Sequence, residues 1–171
     1  MIQIIGLILI MISTTMAGIY YGSIPSFRIK DLKEIKRGLL ILKSEIEYAA
    51  TPLTIACESI STKLDNPMGK IFGNFAQHLK EKTDDIPLAW QLSLEASKPQ
   101  AYLTKEDINQ LISFGTTLGY LDKHLQIRTI DMTTSYLNQE IEDLREVSLK
   151  NKKLYQTLGI LGGLLIIIAL Y

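Results

Sequence analysis

Residues 121–171 read LDKHLQIRTIDMTTSYLNQEIEDLREVSLKNKKLYQTLGILGGLLIIIALY. The stretch holds no proline, and no glycine before Gly159, so it predicts one unbroken helix from Leu121 to Tyr171. At about 1.5 Å per residue that helix would be roughly 75 Å long. In its first half, Ile127, Ile130, Thr134, Leu137, Ile141 and Leu144 recur at steps of three and four. That spacing keeps them on one face, fit to pack on other helices. The second half, Leu154 to Tyr171, carries no charge. About 18 to 20 apolar residues cross a bilayer, so this half reads as a terminal membrane span. The whole stretch reads as a rod tying a folded domain to a membrane.

The remainder of the chain must supply the domain and a second anchor. The chain has 171 residues, is 47% hydrophobic and has formal net charge +0. The length suits one compact domain with anchors. A nucleic-acid binder usually carries a basic surplus, so the charge balance argues against that class. The charges are unevenly placed: none occurs in 1–27 or 154–171. Cys57 stands alone, which rules out a disulfide within the chain and favours a reducing compartment.

Ile2 to Ile24 is rich in Ile, Leu and Met. A secretory signal peptide is the competing reading, with Thr15-Met16-Ala17 as a weak cleavage site. The segment has no Lys or Arg before its apolar run and several after it, which favours a retained anchor. Arg28, Lys30, Lys33, Lys36 and Arg37 follow the first span, and Arg145, Lys150, Lys152 and Lys153 precede the second. The positive-inside rule then puts the middle of the chain in the cytoplasm and both termini outside. The expected domains are a transmembrane helix over 1–25, a cytoplasmic bundle over 26–153 and a transmembrane helix over 154–171.

Pro25-Ser26 is expected to break the first helix from the next. Ile29, Leu32, Ile35, Leu39, Leu42, Ile46 and Ala49 then describe an amphipathic helix. Thr51-Pro52 predicts a stop and restart, Thr51 capping and Pro52 opening the next helix. That helix carries Leu53, Ala56, Cys57, Ile60 and Leu64, and the one after Asp65-Asn66-Pro67 carries Met68, Ile71, Phe72, Phe75 and Leu79. Lys80 to Asp85 reads as a polar turn. Ile86-Pro87 opens a short helix with Trp90 and Leu94, ended by Ser97-Lys98-Pro99. Thr104 and Asp107 fit a capping box for a helix with Ile108, Leu111, Ile112 and Gly115. Gly119 turns the chain into the rod. No alternating β-branched run appears. The fold class is all-α: a bundle of about six helices flanked by two transmembrane helices, the last helix running into the membrane.

Catalytic, cofactor and metal signatures do not emerge. His78 and His124 lie far from each other and from any H-E-x-x-H pattern. His78 reads as a boundary residue, His124 as partly exposed, and Cys57 as a small core hydrophobe rather than a nucleophile. The acidic residues read as solvated faces offset by Lys or Arg. Neither Leu118-Gly119-Tyr120 nor Gly159 to Gly163 matches a phosphate-binding loop. The spans do carry small residues four apart, Gly18 with Gly22 and Gly159 with Gly163, with Gly162 beside them. Such spacing lets helix backbones approach in lipid, pairing the two spans of one chain or pairing with partner spans.

Three motifs carry a resemblance: Glu45-x-x-Tyr48-x-x-x-Pro52-Leu53, Leu118-Gly119-x-x-Asp122-x-x-x-Gln126 and Tyr155-x-x-Leu158-Gly159-x-Leu161-x-Gly163. In order and in distance from the spans, the chain resembles the stage III sporulation protein AB family of endospore-forming bacteria. It departs from the pattern at Tyr120-Leu121, where a small polar residue is expected before Asp122. The family's domain is similar to the F-type platform of type II secretion and type IV pilus machines. The resemblance implies a non-enzymatic scaffold of the channel complex joining mother cell and forespore, in the mother-cell membrane. It implies as partners a secretion-type ATPase and ring-forming membrane proteins, beside the lipid bilayer, with no nucleic acid and no cofactor.

Two other classes compete with the scaffold. One is a receptor with a small-molecule pocket between helices. The other is a membrane enzyme using Glu45, Glu47 or Asp122. Tyr102 and Tyr120, from turn position and aromatic character, and Asp122, from the second motif, are the candidate partner contacts.

Overall fold

A computed structural model describes residues 2–49, 51–81, 85–119 and 122–170. Among these there are six α-helices and no strand. They are α1 (Ile2–Ser44), α2 (Leu53–Lys63), α3 (Met68–Lys80), α4 (Ile86–Ser97), α5 (Lys105–Gly115) and α6 (Lys123–Leu170). A π-helical turn, Glu45–Ala49, ends α1, and a 3-10 turn, Lys98–Gln100, follows α4. The class is all-α, as the periodicities predict. The first and last helices each combine an apolar and an amphipathic half, and both are long and apolar enough to cross a membrane. Leu121 and Tyr171, the expected limits of the last helix, lie outside the described residues, as do residues 82–84 of the expected polar turn.

Two compact units are present, one of Met1–Ile29 with Glu142–Tyr171, the other of Lys30–Ile141. The second is the bundle. Its core is built from the stripes the sequence displays: Leu32, Ile35, Leu39 and Leu42 of α1 are fully buried, as are Phe72 and Phe75 of α3. Trp90 of α4 stands at the centre, meeting Phe72, Phe75 and Phe114 edge-on at centroid distances of 5.6, 5.1 and 5.6 Å. Edge-to-face geometry sets the positive rim of one ring on the negative face of another. The indole Nε1–H donates to Leu111 O at 2.7 Å, so the one polar atom of this side chain is satisfied. Cys57 of α2 is fully buried and is a free thiol. Burial pushes its pKa up to about 12, consistent with an inert core residue.

The starts of α4 and α5 obey local chemistry. Thr104 and Asp107 form the predicted reciprocal capping box of α5. Asp85 caps α4, accepting from Leu88 N at 3.0 Å.

Two expectations fail. Pro25 does not break the helix: α1 runs through it from Ile2 to Ser44. The missing N–H costs one bond to the Tyr21 carbonyl, locally unfavourable by about 3 kcal/mol. Packed positions on both sides, Gly18 and Gly22 before and Leu32 and Ile35 after, hold the helical path against that loss. Thr51 does not cap α2, whose N-cap is Pro52 with no side-chain bond. Its hydroxyl instead donates backward to Glu45 Oε2 at 2.6 Å, because the π turn brings that carboxylate within reach.

Candidate functional site

At the C-terminal end of α1 the wider π turn places Glu45 against Thr51, and Thr51 N also donates to Glu45 O at 3.4 Å. π turns of this kind occur mostly as single-turn insertions and often at functional sites. The chain leaves through Pro52 at φ −54°, ψ 137° and enters α2 at Leu53.

A second segment meets it. After α5, Leu118 N donates to Gly115 O at 3.1 Å, tightening the last turn. Gly119 then takes φ +81°, a conformation that side chains with a Cβ rarely adopt. Asp122 caps α6 by accepting from Leu125 N at 2.9 Å, and Gln126 N donates to Asp122 O at 3.0 Å. Lys123 Nζ reaches across to donate to Glu47 O at 2.5 Å, joining the two segments.

Between them lies a cavity of about 300 Å³. Its apolar lining comes from Leu42, Ile46, Leu53 and Leu118, and its polar lining from Thr51, Lys123 and Gln126. Tyr48 lies in the same π turn and is 80% exposed, and Ile55 in the first turn of α2 is 55% exposed. Two motifs separated by more than a third of the sequence thus build one end of the bundle. Lys123 with Glu47 O, 76 residues apart, has no signal in the sequence.

Other candidates fall elsewhere. Tyr102 N donates to Asp31 Oδ2 at 2.7 Å. Asp31 precedes Glu45 by about 20 Å along α1 at 1.5 Å per residue, so Tyr102 and Asp122 are not brought together. Burial raises the Asp31 pKa, opposed by the Tyr102 N–H and by Lys30. Tyr120 lies outside the described residues. Glu45 is engaged by Thr51, and Asp122 by its cap. No group of three or more His, Cys, Asp or Glu able to hold a metal occurs among the described residues. His78 Nδ1 is 3.9 Å from Glu81 Oε2 and His124 is exposed.

In the unit of Met1–Ile29 with Glu142–Tyr171, the glycines differ from one another. A Cβ at Gly18 would lie 2.6 Å from Tyr155 O and 3.1 Å from Gly159 Cα, and one at Gly159 2.8 Å from Thr14 O. Only glycine admits this backbone-to-backbone approach. A Cβ at Gly163 would meet Thr14 Oγ1 at 2.5 Å. Gly22 is buried, while Gly162 has nothing within 4 Å of its Cβ position. Ser26 and Ser148 join their hydroxyls at 3.3 Å in the same unit.

The sequence model of stage III sporulation protein AB matches residues 3–171. The chain belongs to the stage III sporulation protein AB family. It is 31% identical over 170 residues to stage III sporulation protein AB of Bacillus subtilis (strain 168), covering 99% of each chain. A solved structure of stage III sporulation protein AB is similar at TM-score 0.68 and 28% identity, over 72% of this chain and 97% of that one. The family is one of sporulation proteins, and neither relative bears an enzymatic name.

Proposed function

We propose that this sporulation protein is a non-enzymatic membrane platform of the channel complex between mother cell and forespore. Spans over 1–25 and 154–171 fix it in the mother-cell membrane, with both termini outside and the bundle of 26–153 in the cytoplasm. The end built by Glu45–Leu53 and Leu118–Gln126 docks a secretion-type ATPase, and ring-forming membrane proteins meet the chain on the other side of the bilayer. One observation carries this reading: the two family-bearing motifs converge around one cavity beside an aromatic side chain that is 80% exposed. Exposed aromatics at the centre of an interface commonly anchor partners.

The test is Tyr48→Ala in the full-length protein reconstituted in bilayer discs. Loss of an anchor of about 2 kcal/mol weakens ATPase binding on the order of thirtyfold. Stability should change by less than about 0.5 kcal/mol, since the side chain packs on little. Unchanged binding and normal spore yield would defeat the docking assignment. A cysteine at exposed Ser113 checks the topology, because it should resist impermeant thiol reagents until cells are lysed.

The cavity also supports a second reading, a small-molecule receptor, since about 300 Å³ is the lower bound of usual ligand pockets. That reading requires a ligand-dependent rise in melting temperature which Gln126→Leu removes.

A further inference from the structure

A second groove in the bundle shares no lining residue with the cavity beside Thr51. It lies between α5 and α6 and holds about 440 Å³. Its walls step by three and four, through Gln110, Ser113 and Thr117 on one side and Thr129, Thr133 and Tyr136 on the other. None of the described residues lining it is charged.

Four hydroxyls of this groove are already committed. Thr116 and Thr117 donate theirs to Ser113 O at 2.8 Å and Phe114 O at 2.7 Å. Thr129 and Thr133 donate theirs to Leu125 O at 3.0 Å and Thr129 O at 2.9 Å. With those hydrogens spent on the backbone, the four side chains offer a ligand only lone pairs. The C-terminus of α5 ends here too, with the negative end of its dipole. One turn further along the same faces, four residues from Gln110 and from Tyr136, stand Glu106 and Glu140. A short connection joins α5 to α6, so the two helices run antiparallel and both carboxylates fall at one end of the groove. The cations next to these walls in sequence, Lys105 and Arg128, sit about 100° round their helices from Glu106 and Thr129. Arg128 lines a different groove, with Asp131.

We propose that the α5–α6 groove binds basic side chains, arginine above all, presented on one face of a helix of a protein partner. Arginine carries five N–H donors and no acceptor, the complement of lone pairs and carboxylates. Met132, 65% exposed, offers an apolar surface to the methylene stem. From Glu106 to Thr117 the groove runs roughly 16 Å at 1.5 Å per residue, which suits cations on successive turns of a helix better than a single one. The proposal does not depend on what docks near Tyr48.

The test uses the full-length protein in discs of phosphatidylcholine, whose headgroup has no net charge. The probe is a fluorescent alanine-rich peptide of about 15 residues with arginine at every fourth position, and its control carries glutamine instead. Fluorescence anisotropy at low salt should show the arginine peptide binding on the order of tenfold tighter than the glutamine peptide. Ser113→Lys puts a competing cation in the groove and should abolish that difference. Glu106→Gln and Glu140→Gln should each weaken the arginine peptide by about threefold. Thr129→Val with Thr133→Val keeps the shape, removes two acceptors and should weaken it by about tenfold. Glu106 and Ser113 are exposed, so their variants should keep the wild-type melting temperature and carry the test by themselves. Equal binding of the two peptides, or unchanged affinity in Ser113→Lys, overturns the proposal. Spermidine that binds more tightly than the arginine peptide, and loses affinity in the same variants, overturns the protein partner in favour of a free polyamine.

Discussion

Two glycines of the bundle should respond to the same substitution with opposite signs. Gly73 lies inside α3, and a Cβ there would meet Ser61 Cβ at 3.5 Å and Ser61 Oγ at 3.7 Å, ordinary contacts. Gly73→Ala should therefore stabilise by about 0.5–1 kcal/mol through reduced freedom of the unfolded chain. Gly115 closes α5, and its Cβ would sit 2.1 Å from Trp90 Cδ1 and 2.7 Å from Cγ. The indole cannot yield, being fully buried, bonded to Leu111 O and edged by three Phe rings. Overpacking of this kind costs about 1–3 kcal/mol, while the helix-propensity gain at a last helical position is below about 1 kcal/mol. The net effect of Gly115→Ala is destabilisation by about 2 kcal/mol. Thermal unfolding of the full-length protein in detergent, followed by far-UV circular dichroism, measures both. At roughly 2–4 °C per kcal/mol for a chain this long, the midpoints should separate by several degrees. Trp90→Leu opens the space, so Gly115→Ala should cost clearly less in that background. A rise in midpoint for Gly115→Ala, or strict additivity with Trp90→Leu, would refute the packing argument.

Three further outcomes follow from other sites. An ideal Cβ at Gly163 lies 3.5 Å from Thr14 Cβ, within disulfide range, so Thr14→Cys with Gly163→Cys in Cys57→Ser protein should form an intramolecular disulfide. Its mobility shift on non-reducing gels should vanish when Gly159→Leu is added. Asp31 has a raised pKa through burial, so its ionisation opposes folding: the contribution is fully present below 3.8 and is lost as pH rises through the folded-state value. Asp31→Asn keeps an acceptor for Tyr102 N and should exceed wild type in stability at neutral pH, with the advantage shrinking as pH falls through the raised folded-state value toward 3.8 and no further change below it; a difference independent of pH contradicts the burial argument. Cys57, with its thiol pushed up to about 12, should resist a thiol reagent at pH 8 in the folded state and react at the unfolding midpoint; rapid reaction without denaturant contradicts its burial.

Periodicity alone determined the helices, their buried faces and the two uncharged ends. Leu32, Leu39, Phe72, Ile130 and Leu137 are buried where steps of three and four put them, because helical geometry converts sequence spacing into angle within a few turns. The capping box at Thr104 and Asp107 was legible for the same reason, as its partners lie within one turn. The path through Pro25, the backward bond of Thr51 and the meeting of Glu45–Leu53 with Leu118–Gln126 were decided by tertiary structure. Each depends on packing or contacts beyond one turn, and local rules of proline and capping yield when such contacts outweigh their one to three kcal/mol, roughly. The candidate site belongs to this second class: its motifs were visible as separate strings, but only the fold joined Lys123 to Glu47 and left a cavity lined by both motifs.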